Sequence, residues 1–250
     1  MTARQRLEVL RELAVSDFRL KYHDSVAGYI WSMLSPLLML AVFYLVFHYL
    51  IVVPTLGYLV YLAVGITYWT FFQDCTFSGL TSLAAKAGVI KSVRIPAAIV
   101  VMAAALSTVI TLLINTGVLV LALAASGHLS RLAPLALLPL ACLVLLATGL
   151  SCLAALAYAR FRDAALILSV LLQAAFWLTP VVYHVHSPAV AEWLYLNPLA
   201  RCLYLLRWFL VYDYLPAGRF VALTVLCCLA VFAAGLWALV RQQARIPELM

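Results

Sequence analysis

Charged residues are scarce in this chain of 250 residues: lysine, arginine, aspartate and glutamate make up 10% of it, and 67% of its residues are hydrophobic. A soluble domain has about a quarter of its residues charged and about half apolar. The composition therefore excludes a soluble globular domain and a disordered chain, and it indicates an integral membrane protein. The 9 acidic residues are scattered singly, so the paired acidic motifs that hold magnesium in glycosyl or prenyl transferases are absent.

The sequence also lacks the motifs of nucleotide binding and hydrolytic chemistry. None of its three lysines, Lys21, Lys86 and Lys91, belongs to a glycine-rich phosphate loop. No HExxH, GxSxG, GxGxxG or CxxC motif occurs. We therefore expect a non-catalytic chain with no cofactor or metal site of its own. Any energy for uphill transport has to come from a partner or from an ion gradient.

The runs without charge set the number of membrane spans. The longest, residues 25–73, has room for two helices of about 20 residues, hinged between Pro54 and Gly57. Four further runs provide one helix each. The predicted fold class is an all-α integral membrane protein with six transmembrane helices in one domain, 1–250. The spans are placed at 28–53, 59–83, 99–125, 132–159, 164–183 and 219–240.

Basic residues predict the orientation of these spans. With the N-terminal segment 1–27 inside, cytoplasmic segments hold twelve lysines and arginines and outside segments hold four. This distribution follows the positive-inside rule, so both termini, including the tail 241–250, are expected in the cytoplasm. The net charge of +7 is then an orientation signal, and no nucleic-acid partner is needed to explain it.

Two segments outside the spans have structure of their own. Residues 4–22 read as an amphipathic helix with Leu7, Leu10, Ala14 and Phe18 on its apolar face. This helix is either a membrane-surface anchor or a docking surface for a cytoplasmic partner. The segment 184–218 is rich in aromatics, which favour the membrane interface, and Asn197-Pro198 divides it into two short helices. It is either an interfacial belt or a lid over an exit path.

A polar stripe runs along the second span. Thr67, Thr70, Asp74, Ser78 and Thr81 recur at intervals of three and four residues, which places them on one helical face. Asp74 is the sole acidic residue within a predicted span, and an intramembrane carboxylate is a functional candidate. The alternative is that the stripe joins helices through hydrogen bonds.

Six stretches resemble, in order, landmarks of the polysaccharide-export permeases, which are the membrane subunits of type-2 ABC transporters for O-antigen, capsule or teichoic acid. They are residues 17–36, 65–72, 89–96, 159–163, 178–183 and 196–199. The resemblance implies a half-transporter in the bacterial inner membrane. Two copies of this chain would work with two copies of a separate ATPase subunit, which binds ATP and magnesium.

The resemblance also implies roles for particular segments. Residues 4–22 would form an interface helix, 86–96 a coupling helix that touches the ATPase, and 184–218 the gate helices. The coupling residues are Val89, Ile90, Lys91, Ser92, Val93 and Arg94. A polyprenyl diphosphate lipid is expected at the end of the polymer. The basic residues at the inner boundary that could hold this diphosphate are Arg19, Lys21, Arg160 and Arg162; the alternative is that they only set orientation.

Aromatic faces stack on sugar rings, so an aromatic path suits a sliding polymer. The residues assigned to this path are Tyr68, Trp69, Phe72, Asp74, Trp177 and Tyr183; the alternative is that the aromatics pack or anchor the helices. A different function also stays open, an ion-coupled carrier of a small substrate or lipid with Asp74 as its proton site. Such carriers usually contain internal repeats, and none is found here.

Overall fold

The computed structural model describes residues 3–22, 37–46, 56–88, 90, 95–185 and 187–243. All regular structure in these ranges is helical, as predicted. Residues 37–46 are helical, and a short 3-10 turn, Ala133–Ala136, precedes α4. The other helices are α1 Ala3–Tyr22, α2 Leu56–Ala85, α3 Ala97–Ala125, α4 Leu137–Arg160, α5 Ala164–Leu178, α6 Pro188–Leu194, α7 Pro198–Arg207 and α8 Gly218–Gln242, with a π-helical turn at Trp208–Tyr212.

Three of the described helical segments are long and apolar enough to cross a membrane: Ala97–Ala125, Ala133–Arg160 and Gly218–Gln242. Helix α2 has 30 residues and is about 45 Å long at 1.5 Å per residue, but polar residues interrupt it. Of the first predicted span only 37–46 are described. The helical membrane class is thus confirmed, and the number of six spans stays a prediction.

Helix α5 is shorter than the span predicted at 164–183. It ends at Leu178, and Thr179 is extended, with φ −116° and ψ 133°. Pro180 explains this end, because proline disfavours the helical conformation in the residue before it and has no N–H to continue the helix. Residues 179–183 are therefore irregular, and their backbone carbonyls need partners outside a helix.

The bundle is tightest where α4 crosses α8. A Cβ on Gly235 would lie 2.1 Å from the carbonyl oxygen of Gly149, so the two backbones are in contact and neither glycine can be replaced without moving a helix. Small residues permit such close approach between membrane helices. Helix α2 packs on α3 and α4, and the largest hydrophobic cluster lies among these helices and α7.

Helix α1 packs on the bundle. Its Val9, Leu10 and Leu13 contact a second, smaller hydrophobic cluster that includes Leu83 and Leu239. The predicted apolar face is only partly correct, because Ala14 is 1% exposed whereas Leu7 is 66% exposed. The apolar stripe therefore extends past the surface that the described part of the bundle covers.

The connecting segments gather at two ends of the bundle. At the end that we name the basic end (residues 3–22, 86–88, 160–163 and 241–243), Lys86 binds Asp17 and Arg160 donates to Gln242. At the end that we name the aromatic end (residues 126–133 and 179–217), the Ser130 hydroxyl donates to Asp213 at 2.7 Å. Successive long helices therefore run in opposite directions between the two ends, in the order predicted for the described spans.

Candidate substrate path

The polar stripe of α2 lies on one face, as predicted. Asp74 and Thr81 are exposed, and Thr67, Thr70 and Ser78 are half-buried. On the opposite side, Phe72 is 5% exposed and Leu83 is 1% exposed. The described helices therefore cover the apolar side of α2 and leave its polar side open at Asp74 and Thr81, whereas Thr67 lines a cavity with Leu37 and Leu40.

This open polar face has a consequence in a membrane. Carboxylates and hydroxyls are costly in hydrocarbon, and charged side chains within spans face protein or water-filled cavities. The face with Asp74 is therefore suited to a water-filled path or to a second protein chain, and it is a poor surface for lipid.

The aromatics assigned to the path divide into two groups. Tyr68 is fully buried, and Trp69 and Phe72 are 4% and 5% exposed, because they pack into the interior of the chain's own bundle. Trp69 contacts Phe176 edge-on, with ring centroids 5.3 Å apart. In this conformation these three rings pack inside the bundle, and Phe72 also lines a groove between α2, α4 and α5; their assignment to the path stays a prediction.

The second group lies at the end of α5 and is accessible. Trp177 is 56% exposed, and the half-buried Tyr183 donates its hydroxyl to the Trp177 carbonyl at 2.8 Å. Both side chains are accessible where α5 meets the aromatic end, so each ring is free to stack on a sugar. Their assignment to the path, with that of Asp74, stays a prediction.

A buried arginine that the sequence analysis did not single out holds the aromatic end together. Arg207, the last residue of α7, is 1% exposed. Its guanidinium lies 3.4 Å from the centre of the Tyr61 ring and donates to the carbonyls of Pro180 and Val181 at 2.7 and 2.8 Å. Burial lowers the pKa of Arg207, but an arginine stays protonated in a protein. The available signal was an arginine within an otherwise apolar stretch, directly before the aromatic Trp208.

Of the coupling residues, only Ile90 is described. It is 5% exposed and belongs to the smaller hydrophobic cluster against which α1 packs. Val89 and 91–94 lie outside the described residues. Just before them, Lys86 donates to the carboxylate of Asp17 at 2.5 Å, with both side chains less than a fifth exposed. The structure therefore ties α1 directly to the end of α2.

Two cavities adjoin the loop between α4 and α5. One, of about 380 Å³, is an apolar groove between α2, α4 and α5, and the other, of about 270 Å³, is lined by Arg160 and Arg162. Phe161 lines both cavities. Arg19 is exposed on α1 and does not line either, and the side chain of Lys21 lies outside the described residues. The structure thus brings together two of the four basic residues assigned to the diphosphate.

The described residues include no group of three or more histidine, cysteine, aspartate or glutamate side chains that could hold a metal ion. His184 stacks on Tyr61 with ring centroids 3.8 Å apart.

Comparison with known proteins places these features in a family. The family model described as ABC-2 type transporter matches residues 8–211. Two proteins of Klebsiella pneumoniae, both named O-antigen export system permease protein RfbA, are 26% identical to this chain over 197 residues, which is 77% of this chain and 76% of theirs. The matched region runs from α1 through the π-helical turn at the aromatic end and includes the polar face of α2. The chain therefore belongs to the ABC-2 type transporter family, whose members are membrane subunits of transporters.

Proposed function

We propose that this chain is the membrane-spanning subunit of an ATP-driven exporter in the bacterial inner membrane. Its substrate is a polysaccharide of the O-antigen, capsule or teichoic acid type, linked to a polyprenyl diphosphate. Two copies work with two ATPase subunits, which bind ATP and magnesium. The similarity to O-antigen export permeases over 77% of the chain supports this class of substrate.

The observation that carries the proposal is the open polar face of α2. Asp74 and Thr81 are exposed on a helix whose other side is packed in the bundle, and lipid is an unsuitable neighbour for such a face. A second copy that presents the same face would enclose a polar passage between the two helices. Hydroxyls and a carboxylate along this passage offer exchangeable hydrogen bonds to a sliding glycan.

The two cavities at the basic end support a lipid-linked substrate. All but one of the residues that line the larger groove are apolar, and the exception, Thr76, donates its hydroxyl to the Phe72 carbonyl. This groove would take part of an isoprenoid tail, while Arg160 and Arg162 in the adjoining cavity bind the diphosphate. Phe161 marks the boundary between tail and head.

The topology follows from this function. The basic end is cytoplasmic, with both termini, α1 and the 86–96 loop beside the ATPase, and the aromatic end is extracytoplasmic, with α6 and α7 as gate helices. Six spans, with the first around the helical segment 37–46, complete the subunit. Ile90 and the Lys86–Asp17 pair join the coupling surface to the bundle.

Reconstitution tests the proposal. The chain should be purified with its ATPase partner, placed in vesicles and supplied with lipid-linked polysaccharide on the cytoplasmic side. We expect transport that requires ATP hydrolysis, persists in the presence of proton ionophores and does not occur with the polymer lacking its lipid. Arg160→Gln with Arg162→Gln should raise the substrate concentration required for half-maximal transport.

Other outcomes of the same assay contradict the proposal. Transport by the chain alone, driven by a proton gradient and abolished by Asp74→Asn, would instead establish an ion-coupled carrier. ATP hydrolysis by the chain without its partner would contradict the assignment of a non-catalytic subunit.

A further inference from the structure

Four consecutive carbonyls after α5 are all bound by side chains from other helices. Arg207 donates to Pro180 and Val181. Tyr58 donates to the Val182 carbonyl at 2.6 Å, and Tyr61 donates to the carbonyls of Pro180 and Tyr183 at 3.0 and 2.7 Å. We name this arrangement the clasp: Tyr58, Tyr61 and Arg207 with the carbonyls of 180–183.

The clasp joins three elements at one point. Tyr58 and Tyr61 belong to the beginning of α2, the four carbonyls belong to the irregular segment after α5, and Arg207 ends α7. Arg207 also donates to the Tyr61 carbonyl, at 3.3 Å. Each element therefore binds both of the others.

The electrostatics of the clasp keep it closed. No carboxylate of the described residues forms an ion pair with Arg207, so its charge is balanced by carbonyl dipoles and by the face of the Tyr61 ring. A buried charge that loses its partners is strongly destabilising. If α7 moved away from α2, it would leave a buried cation and several buried carbonyls without partners at the same time.

The backbone of α2 leaves space for the guanidinium of Arg207. A Cβ on Gly65 would lie 2.3 Å from the Val181 carbonyl oxygen and 2.4 Å from a terminal nitrogen of Arg207. Only glycine leaves room at this position of α2. The close approach therefore depends on Gly65 as well as on Arg207.

The opposite end of α2 has its own attachment. Lys86, directly after α2, binds Asp17 of α1, and α2 is one uninterrupted helix of 30 residues that begins at the clasp and ends just before Lys86. A single rigid helix thus connects the basic end to the aromatic end. A displacement of Lys86 is transmitted along α2 to Tyr58 and Tyr61, and it passes to the other two elements as long as the hydrogen bonds of the clasp stay formed.

We propose that Arg207 is a positioning residue that makes α2, the 179–183 segment and α7 one rigid unit, which carries motion from the basic end to the aromatic end. The proposal rests on the proposed function, in which an ATPase acts at the basic end. The clasp stays closed through the transport cycle, and α7 moves with α2. Export then depends on the geometry of the clasp in addition to the folding that it supports.

The first test compares ATP hydrolysis with export in the complex with the ATPase. Arg207→Lys retains the charge but loses the planar fork that reaches several carbonyls, and Gly65→Ala retains the arginine but displaces it. We expect both variants to retain ATP hydrolysis while export per folded complex falls at least about tenfold. Gly117→Ala is the matched control, because nothing lies within 4 Å of the added Cβ, and it should export as the wild type does.

If Arg207→Lys does not fold, a milder variant still tests the proposal. Tyr61→Phe removes the hydroxyl that binds two carbonyls and leaves the ring beneath the guanidinium. It should fold and show a smaller loss of export at unchanged ATP hydrolysis. If these variants only lower the amount of protein while export per folded complex is normal, the clasp is structural and the proposal is overturned.

A distance measurement tests rigidity independently of export. Spin labels at the exposed positions Ala85 and Leu196, with the exposed Cys227 replaced by serine, report the separation of the far end of α2 from the start of α7. We expect the wild-type distance to be the same with and without bound ATP, and Gly65→Ala to make it nucleotide-dependent. A wild-type distance that changes with ATP overturns the rigid unit even if export is ATP-driven. Failure of wild-type export with an unchanged distance counts against the proposed function alone.

Discussion

Individual residues of α2 have opposite surroundings although they are neighbours in sequence. Tyr68 is fully buried, whereas Asp74, less than two turns away, is exposed. The sequence predicted the polar face from its spacing, but it could not show which aromatics the bundle would cover. In a membrane, residues that face lipid and residues that face the core are both apolar. Periodicity therefore separates polar from apolar faces and does not separate packing from lipid contact.

This contrast predicts different effects for two substitutions. Tyr68→Ala removes a buried ring, which costs about 3–5 kcal/mol of stability for a large aromatic. It should lower the amount of folded protein and leave export per molecule unchanged. Quantitative immunoblots with surface-polymer measurements check this.

Asp74→Asn should behave in the opposite way. It preserves the size of the side chain and removes a charge from the open face, so the protein should accumulate normally while export falls. A normal export rate for Asp74→Asn, or a low rate per molecule for Tyr68→Ala, would reverse the roles that burial assigns to these residues.

At the scale of elements, the sequence located most helices well. The spans predicted at 59–83, 99–125 and 219–240 correspond to α2, α3 and α8 with small differences at their ends. Asn197-Pro198 separates two short helices as predicted: α6 ends at Leu194, α7 begins at Pro198, and the Asn197 side chain accepts a hydrogen bond from the Leu199 backbone at 3.0 Å. The exception is α5, which ends before the predicted span does. The span was predicted from a run without charge, and such a run does not show the effect of Pro180 on the preceding residue.

The contacts between elements could not be predicted from the sequence. Arg207 meets Tyr61 and Lys86 meets Asp17 through tertiary packing, and no local pattern indicates which partner a single charged residue will find. Helix α1 shows the same limit, since its periodicity predicted an apolar face but not that the bundle itself would cover it.

The Lys86–Asp17 pair leads to a prediction at this scale. Lys86→Asp should uncouple ATP hydrolysis from export, because two carboxylates then face each other where α1 meets α2. The exchange of both residues, Lys86→Asp with Asp17→Lys, should restore much of the export. The Arg4–Glu8 pair on α1 is the control, because both side chains are exposed and such pairs contribute little. Equal loss in the single and the exchanged variants would show that the attraction between Lys86 and Asp17 is not what matters.

At the scale of the whole molecule, one end of the bundle is basic and the other aromatic, and α2 connects them. The composition predicted a membrane protein, and the family match over residues 8–211 identifies its class. The open polar face of α2 is the site that we propose for transport in this chain. The role of this face depends on which molecule lies against it. We propose that a second copy of the chain lies there and that the two copies enclose a polar passage.

Thiol accessibility on this face tests the central claim most directly. Ser78→Cys, on the polar face of α2, should be compared with Leu113→Cys, an exposed position on α3, each with Cys227 replaced by serine. In membranes that contain the assembled complex, we predict that a charged, water-soluble thiol reagent modifies the cysteine at position 78 and blocks export. The cysteine at position 113 should stay unmodified, because a thiol in hydrocarbon is not ionised. Modification at 113 with none at 78 would mean that lipid or packed protein covers the polar face, and the path through α2 would be contradicted.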